Sequence, residues 1–126
     1  MEREDLTHRI IGCAYKVYKI LGFGFLESVY QKALLMELND AGLKVEAEMP
    51  LKVHYRGEII GSFNVDILVE DEIVVELKSV EHLIKAHEVQ LVNYLAGLKK
   101  DIGLLINFSP EGVKVKRKYR KIFRQD

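Results

Sequence analysis

Residues 64–78 hold two aliphatic runs, Asn64-Val65-Asp66-Ile67-Leu68-Val69 and Ile73-Val74-Val75-Glu76-Leu77-Lys78, each too apolar to face water yet interrupted by ionisable side chains. Short, β-branched runs of this kind fold as buried strands. Side chains alternate along a strand, so Glu76 and Lys78 share a face with Val74, while Ile73, Val75 and Leu77 take the other. Residues opposite each other in an antiparallel pair lie on the same face. Pairing Val69 with Ile73 around Glu70-Asp71-Glu72 therefore sets Asp66 against Glu76. A two-residue turn at Glu70-Asp71 would oppose Asp66 to Val75 and separate the acids. The longer loop is preferred because it gathers Val65, Ile67, Val69, Ile73, Val75 and Leu77 into one aliphatic face, which a slip of one residue would destroy. The loop achieves this without the glycine such hairpins favour.

The rest of the chain sets the frame for these strands. A length of 126 residues allows one domain with a real core and not two. No apolar run reaches the length of a membrane span. The charged start, Met1-Glu2-Arg3-Glu4-Asp5, lacks the hydrophobic segment of a secretion signal, so a cytoplasmic location is expected. Cys13 is the single cysteine, which rules out an intrachain disulfide, and its apolar surroundings read as a small buried thiol. The net charge of zero conceals an uneven distribution. Lys114, Lys116, Arg117, Lys118, Arg120, Lys121 and Arg124 crowd the last fourteen residues against Asp126 alone. A basic tail from about 113, with Tyr119 and Phe123 interleaved, has the groups to contact phosphates and stack on bases. A solvated terminal strand or frayed helix is the alternative.

Periodicity places the remaining elements. Leu6, Ile10, Cys13, Ala14, Val17 and Leu21 recur at helical spacing from Asp5 to about Leu21, where Gly22 stops the helix. A second helix is expected from about Phe25 to Asp40, with Leu26, Val29, Tyr30, Ala33, Leu34 and Leu38 inward and Gly42 ending it. Alternating segments at Val45 to Glu48 and Leu51 to Tyr55, a turn at Arg56-Gly57, and Ile59 to Phe63 form a meander leading to Asp66. Helical period returns from Val80 to Leu98 through Leu83, Ile84, His87, Leu91, Tyr94, Leu95 and Leu98, with Gly97 loosening its end. Ile102 to Phe108 is a short strand stopped by Ser109-Pro110. The sum is a single α/β domain with a mixed sheet, free of internal repeats.

Two carboxylates facing each other repel, and one keeps its proton unless a cation lies between them. Lys78 is one such cation; a divalent metal is the other. Mg²⁺ suits oxygen ligands and completes its shell with water and phosphate. An ion pair between Glu76 and Lys78, with Asp66 bonded to a backbone amide, explains the same residues without chemistry. Two helices bring further polar groups to the same region. Glu27 and Tyr30 share one helical face with Leu34, and His87, Gln90, Leu91 and Tyr94 form another stripe, so polar groups recur where apolar ones would otherwise pack.

Taken together, Gly24-x-x-Glu27-x-x-Tyr30, Asp66, Glu76-x-Lys78 and the His87-x-x-Gln90-x-x-x-Tyr94 helix resemble the GxxExxY family of the PD-(D/E)XK nuclease-like superfamily, over about Leu6 through Asn107 and including the Leu104-Leu105-Ile106-Asn107-Phe108 strand. The specificity lies in their order and spacing. The resemblance implies a restriction-endonuclease-like core, a mixed sheet of about four or more strands flanked by helices, and magnesium-dependent hydrolysis of DNA phosphodiester bonds, with Mn²⁺ as a possible substitute. On that pattern Asp66 and Glu76 bind the metal, with the Leu77 carbonyl as a third ligand. Lys78 positions the attacking water, Glu27 adds a carboxylate as base or through a further metal, and Gln90 orients substrate or water. Tyr30, Asn64, His87, Tyr94, Lys116, Arg117, Lys118 and Arg120 are the further candidates for substrate contact, Asn64 because it is placed on the face of Asp66. Val65 stands where the superfamily's name pattern has proline, which leaves the carboxylate itself unaffected. Size and plan also look similar to archaeal Holliday-junction resolvases, with branched DNA and a homodimer as the corresponding expectations.

Other chemistries find little support. His8, His54, His82, His87 and Cys13 lack zinc-ligand spacing. Gly22-Phe23-Gly24 follows a helix and lacks the lysine of a nucleotide cradle. No serine or cysteine sits in a nucleophile elbow. Two non-enzymatic readings stay open: a nucleic-acid-binding module without turnover, and a structural or interaction protein in which the charged cluster is a stabilising network.

Overall fold

Helix α1 (Arg3–Leu21) buries Leu6, Ile10, Cys13, Ala14 and Val17, the periodic face read from the sequence. Gly22 ends it at φ 67°, donating its N–H to the Tyr18 carbonyl at 2.8 Å. The computed structural model describes residues 2–121. Helix α2 (Glu27–Asp40) starts two residues later than expected, leaving Phe25 and Leu26 exposed in the preceding loop. It packs Tyr30, Gln31, Leu34 and Leu38 inward.

The meander is a single long hairpin of β1 (Val45–Tyr55) and β2 (Glu58–Val69). Its turn is Arg56-Gly57, both left-handed (φ 52° and 81°), as a type I′ hairpin requires. Strand β3 (Ile73–Lys78) pairs antiparallel with β2 in the expected register, Val69 opposite Ile73. The glycine-free loop manages this by holding Glu70 and Asp71 left-handed (φ 52° and 56°). Glu70 N–H donates to the Lys44 carbonyl at 2.8 Å, and Asp71 meets Lys100 at 3.1 Å, contacts that offset the backbone cost.

Helix α3 (Lys85–Leu98) crosses over to β4 (Ile102–Ser109), which runs parallel to β3, and β5 (Gly112–Tyr119) closes the far edge antiparallel to β4. The sheet order is β1-β2-β3-β4-β5, a mixed sheet with α1 and α2 on one face and α3 on the other. Val80 was expected to open the helix, but both its backbone groups are held by Asn107: Val80 N–H donates to Oδ1 at 3.0 Å and Nδ2 donates to the Val80 carbonyl at 2.9 Å. Val80 so held stays outside the helix, which begins after its N-cap Ile84. Nor does Gly97 loosen the helix end; it lets the helix lie directly on β1, since a methyl there would stand 2.8 Å from Leu51 Cδ1. Gly103 serves the same purpose beneath Leu91, again at 2.8 Å.

One core joins α1 and α2 to Ile67, Val69, Ile73, Val75, Leu77, Leu104, Ile106 and Phe108. The other joins Leu91, Tyr94 and Leu95 of α3 to Leu51, Val65, Leu68, Val74 and Leu105. Each fully buried aliphatic side chain stabilises by about 1.5–3 kcal/mol, so β3, buried from Ile73 through Leu77, is pinned in register. Val65 corrects the expectation of one aliphatic face, because it packs under α3 while Ile67 and Val69 pack under α1 and α2. The strands roll at Glu48, which is left-handed (φ 55°), and the Glu48/Asp66 position is missing from the ladder between Ala47–Ile67 and Met49–Val65. The basic segment from 113 is likewise no free tail as far as Tyr119: it is the edge strand β5. Phe123, Arg124 and Asp126 lie outside the described residues. Among those described, no helix is long and apolar enough to cross a membrane.

Candidate functional site

The β2–β3 ladder stops at Ile67–Val75, and just beyond it the two acids come together. Asp66 N–H donates to Glu76 Oε1 at 3.0 Å, and Leu77 N–H donates to Asp66 Oδ2 at 2.7 Å. Each carboxylate thus takes the place of a ladder carbonyl for the opposite strand. Burial pushes the Glu76 carboxyl up to about 8, and the neighbouring Asp66 charge adds to the effect. Asp66 is also raised, first by burial, then by Glu27 and Glu48, against the lowering effect of the Leu77 amide bond. Two acids held together against their own charge suit a hard divalent ion, which needs few protein oxygens when water and phosphate supply the others. No group of three His, Cys, Asp or Glu side chains that could hold a metal is found among the described residues.

Lys78 lies one step further along β3. Its Nζ approaches Glu27 Oε1 at 3.9 Å, so its ion contact is with the first residue of α2 and not with Glu76. Ser79 Oγ donates to the Phe25 carbonyl at 2.9 Å, tying the start of α2 to the end of β3. Tyr94 comes from the other face. Burial and the charges of Glu76 and Asp66 raise its phenol, which places it beside the acids, and its ring lies 5.7 Å from that of Phe63. Gln90, one turn earlier, is exposed at the rim of the groove that Tyr94 also lines.

Several expected contact residues have other tasks. Tyr30 is fully buried, stacked on Phe108 with ring centroids 4.3 Å apart, and its hydroxyl donates to the Gly22 carbonyl, so it anchors the loop before α2 and cannot reach substrate. His87 caps α3: Ile84 N–H donates to its Nδ1 at 3.2 Å while His87 N–H donates to the Ile84 carbonyl at 3.0 Å. Asn64 is exposed and points away from α3, because Phe63 and Val65 on either side of it both turn toward that helix. The cations expected in the basic segment are largely matched within the fold. Arg117 bonds Glu4 and Thr7 at 3.1 and 2.7 Å, Lys118 bonds Glu88 at 3.0 Å, and Arg120 meets Asp101 at 2.8 Å. Lys116 is exposed, beside Asn107 and His82.

Sequence reasoning missed Gln31 and Glu48. Gln31 Nε2 donates to the Asp66 carbonyl and to Glu48 Oε1, both at 2.9 Å, and so fixes the strand that carries Asp66. The signal was present: Gln31 stands four residues after Glu27, on the same helical stripe. Nothing in the pattern marked Glu48, whose role depends on the strand roll.

No curated protein matches the chain. The crystal structure of SSO0001 superposes with a TM-score of 0.59 at 18% sequence identity, over 76% of this chain and 50% of that one. The chain therefore spans half the length of that protein, and the likeness is one of fold. The sequence model of the PD-(D/E)XK nuclease superfamily fits residues 4–122, a stretch that takes in the paired acids, Lys78 and both helices reaching toward them. By that match over nearly its whole length, the protein belongs to the PD-(D/E)XK nuclease superfamily.

Proposed function

We propose that the protein is a metal-dependent nuclease of the GxxExxY type that hydrolyses DNA phosphodiester bonds. The observation that carries the reading is the crossed pair of amide bonds, which gathers Asp66 and Glu76 at one point with both carboxyls raised and Lys78 beside them. Asp66, Glu76 and the Leu77 carbonyl are the groups to hold Mg²⁺, or Mn²⁺ in its place, and a bound ion of this kind polarises a phosphoryl oxygen and lowers the pKa of its water. Lys78 orients the attacking water and stabilises charge gathering on the phosphate. Glu27, half-exposed and 3.9 Å from Lys78, steadies that ammonium and offers a base to the water. Gln90 orients the strand at the rim. A cytoplasmic location and action as a homodimer belong to the same reading.

The test is cleavage of plasmid, single-stranded and branched DNA in Mg²⁺ or Mn²⁺, comparing wild type with Glu76→Ala and Lys78→Ala. Loss of cleavage in both variants, with folding retained, supports the assignment. Equal cleavage by all three proteins overturns it, since the activity would then come from elsewhere.

A further inference from the structure

Between the inner face of the β1–β2 hairpin and α3 lies a groove of about 690 Å³, within the range of about 300–1,000 Å³ typical of sites for small ligands. Its apolar wall is made by Leu51, Val53 and Phe63 of the strands and Val89 of the helix, and Phe63 and Val89 remain 42% and 47% exposed. Among the described residues, Lys52 is the one Lys or Arg lining it. Tyr94 joins the groove to the acids: it faces Phe63 on one side and feels the charges of Asp66 and Glu76 on the other. At the rim, Gln90 and Asn93 lie three residues apart on α3 and present amide donors and acceptors side by side.

We infer that this groove seats an unstacked nucleobase, so that the substrate is a single strand, a frayed end or an unpaired stretch and not uninterrupted duplex. An exposed aromatic face offers stacking that any base can use, and paired amides match the edges of a base that has lost its Watson–Crick partner. Tracking a duplex calls instead for rows of cations along phosphates, yet the groove itself offers one lysine among the described residues, and Arg117, Lys118 and Arg120 are matched by acids of the fold, Lys118 by Glu88 beside the groove's Val89. A base seated against Phe63 sets its own phosphate toward Asp66 and Glu76; this last step rests on the nuclease reading, the base site itself does not.

The experiment measures binding of three labelled probes in Ca²⁺: a base-bearing single strand, an abasic strand of equal length and a blunt duplex. Stacking of this kind predicts that the base-bearing strand binds about tenfold more tightly than the abasic one. Phe63→Ala and Phe63→Leu should each erase that difference while leaving abasic affinity unchanged; the leucine variant guards against loss of fold. Equal affinity for the base-bearing and abasic strands overturns the inference. So does tightest binding to duplex, or a self-associated protein that Phe63→Ala turns monomeric. Cleavage in Mn²⁺ is scored separately: no cleavage with the base preference intact ends the nuclease reading and leaves the base site standing, and cleavage without the preference does the reverse.

Discussion

Replacing Glu76 by glutamine should make the metal-free protein more stable in alkali, and the size of the gain follows from the site. Burial and the Asp66 charge move the Glu76 carboxyl from 4.5 to about 8. Below the unfolded value both states hold the proton, so no penalty exists. Between the two values the unfolded chain releases its proton while the folded chain keeps it, and stability falls as pH rises. Above about 8 both states are ionised and the loss is complete. At about 1.4 kcal/mol per pH unit the whole span is on the order of 5 kcal/mol, comparable with the total stability of many small domains. Glutamine keeps an oxygen to accept the Asp66 N–H and carries no charge, so its variant should match wild type near about pH 5 and exceed it by several kcal/mol near about pH 9. Urea unfolding followed by circular dichroism in EDTA measures this. Mg²⁺ or Mn²⁺ should restore wild type in alkali and do little for the variant. Parallel pH profiles for the two proteins would refute the argument, because the buried acid would then carry no linked proton.

Other substitutions test the frame around the site by chemical denaturation. Gly103→Ala should lose about 1–3 kcal/mol, since the new methyl meets Leu91 at 2.8 Å in a filled core. Lys99→Gly should gain about 1 kcal/mol, because Lys99 closes α3 at φ 58°, a conformation costly to any residue with a Cβ. Asn107→Ala should lose about 2–4 kcal/mol by orphaning both backbone groups of Val80, with amide exchange at Val80 quickened. Asp66→Asn should fold nearly as well as wild type but bind no Mn²⁺, whereas Asp66→Ala, which strands the Leu77 N–H, should be less stable than Asp66→Asn by about 1–3 kcal/mol.

The fold was legible wherever a single strong period governed a segment. Ile73 to Lys78 declared its strand, its faces and its register, because burying five consecutive side chains leaves no second solution. Helix α1 was equally plain from Leu6 to Val17. What escaped the pattern were effects of one element upon another. Val80 is held out of α3 by Asn107, which lies beyond the helix in sequence, and the basic segment becomes an edge strand because β4 offers it a ladder. Tyr30 carried a motif position yet proved to be a buried anchor, since helical spacing tells which residues share a stripe and not how deep the stripe lies.

The roll at Glu48 links these points to the chemistry. A regular β2 would turn Phe63 and Val65 toward α1 and α2 with Ile67 and Val69, and the hairpin beyond Asp66 would carry its apolar face away from α3. Because the alternation is reset at Glu48 and Asp66, that face closes over α3 instead and forms the groove that Tyr94 joins to the acids. The same break ends the backbone ladder, which frees two amides to grip the carboxylates and hold them facing each other. One irregular position, braced by Gln31, therefore gathers the acids and builds the wall beside them.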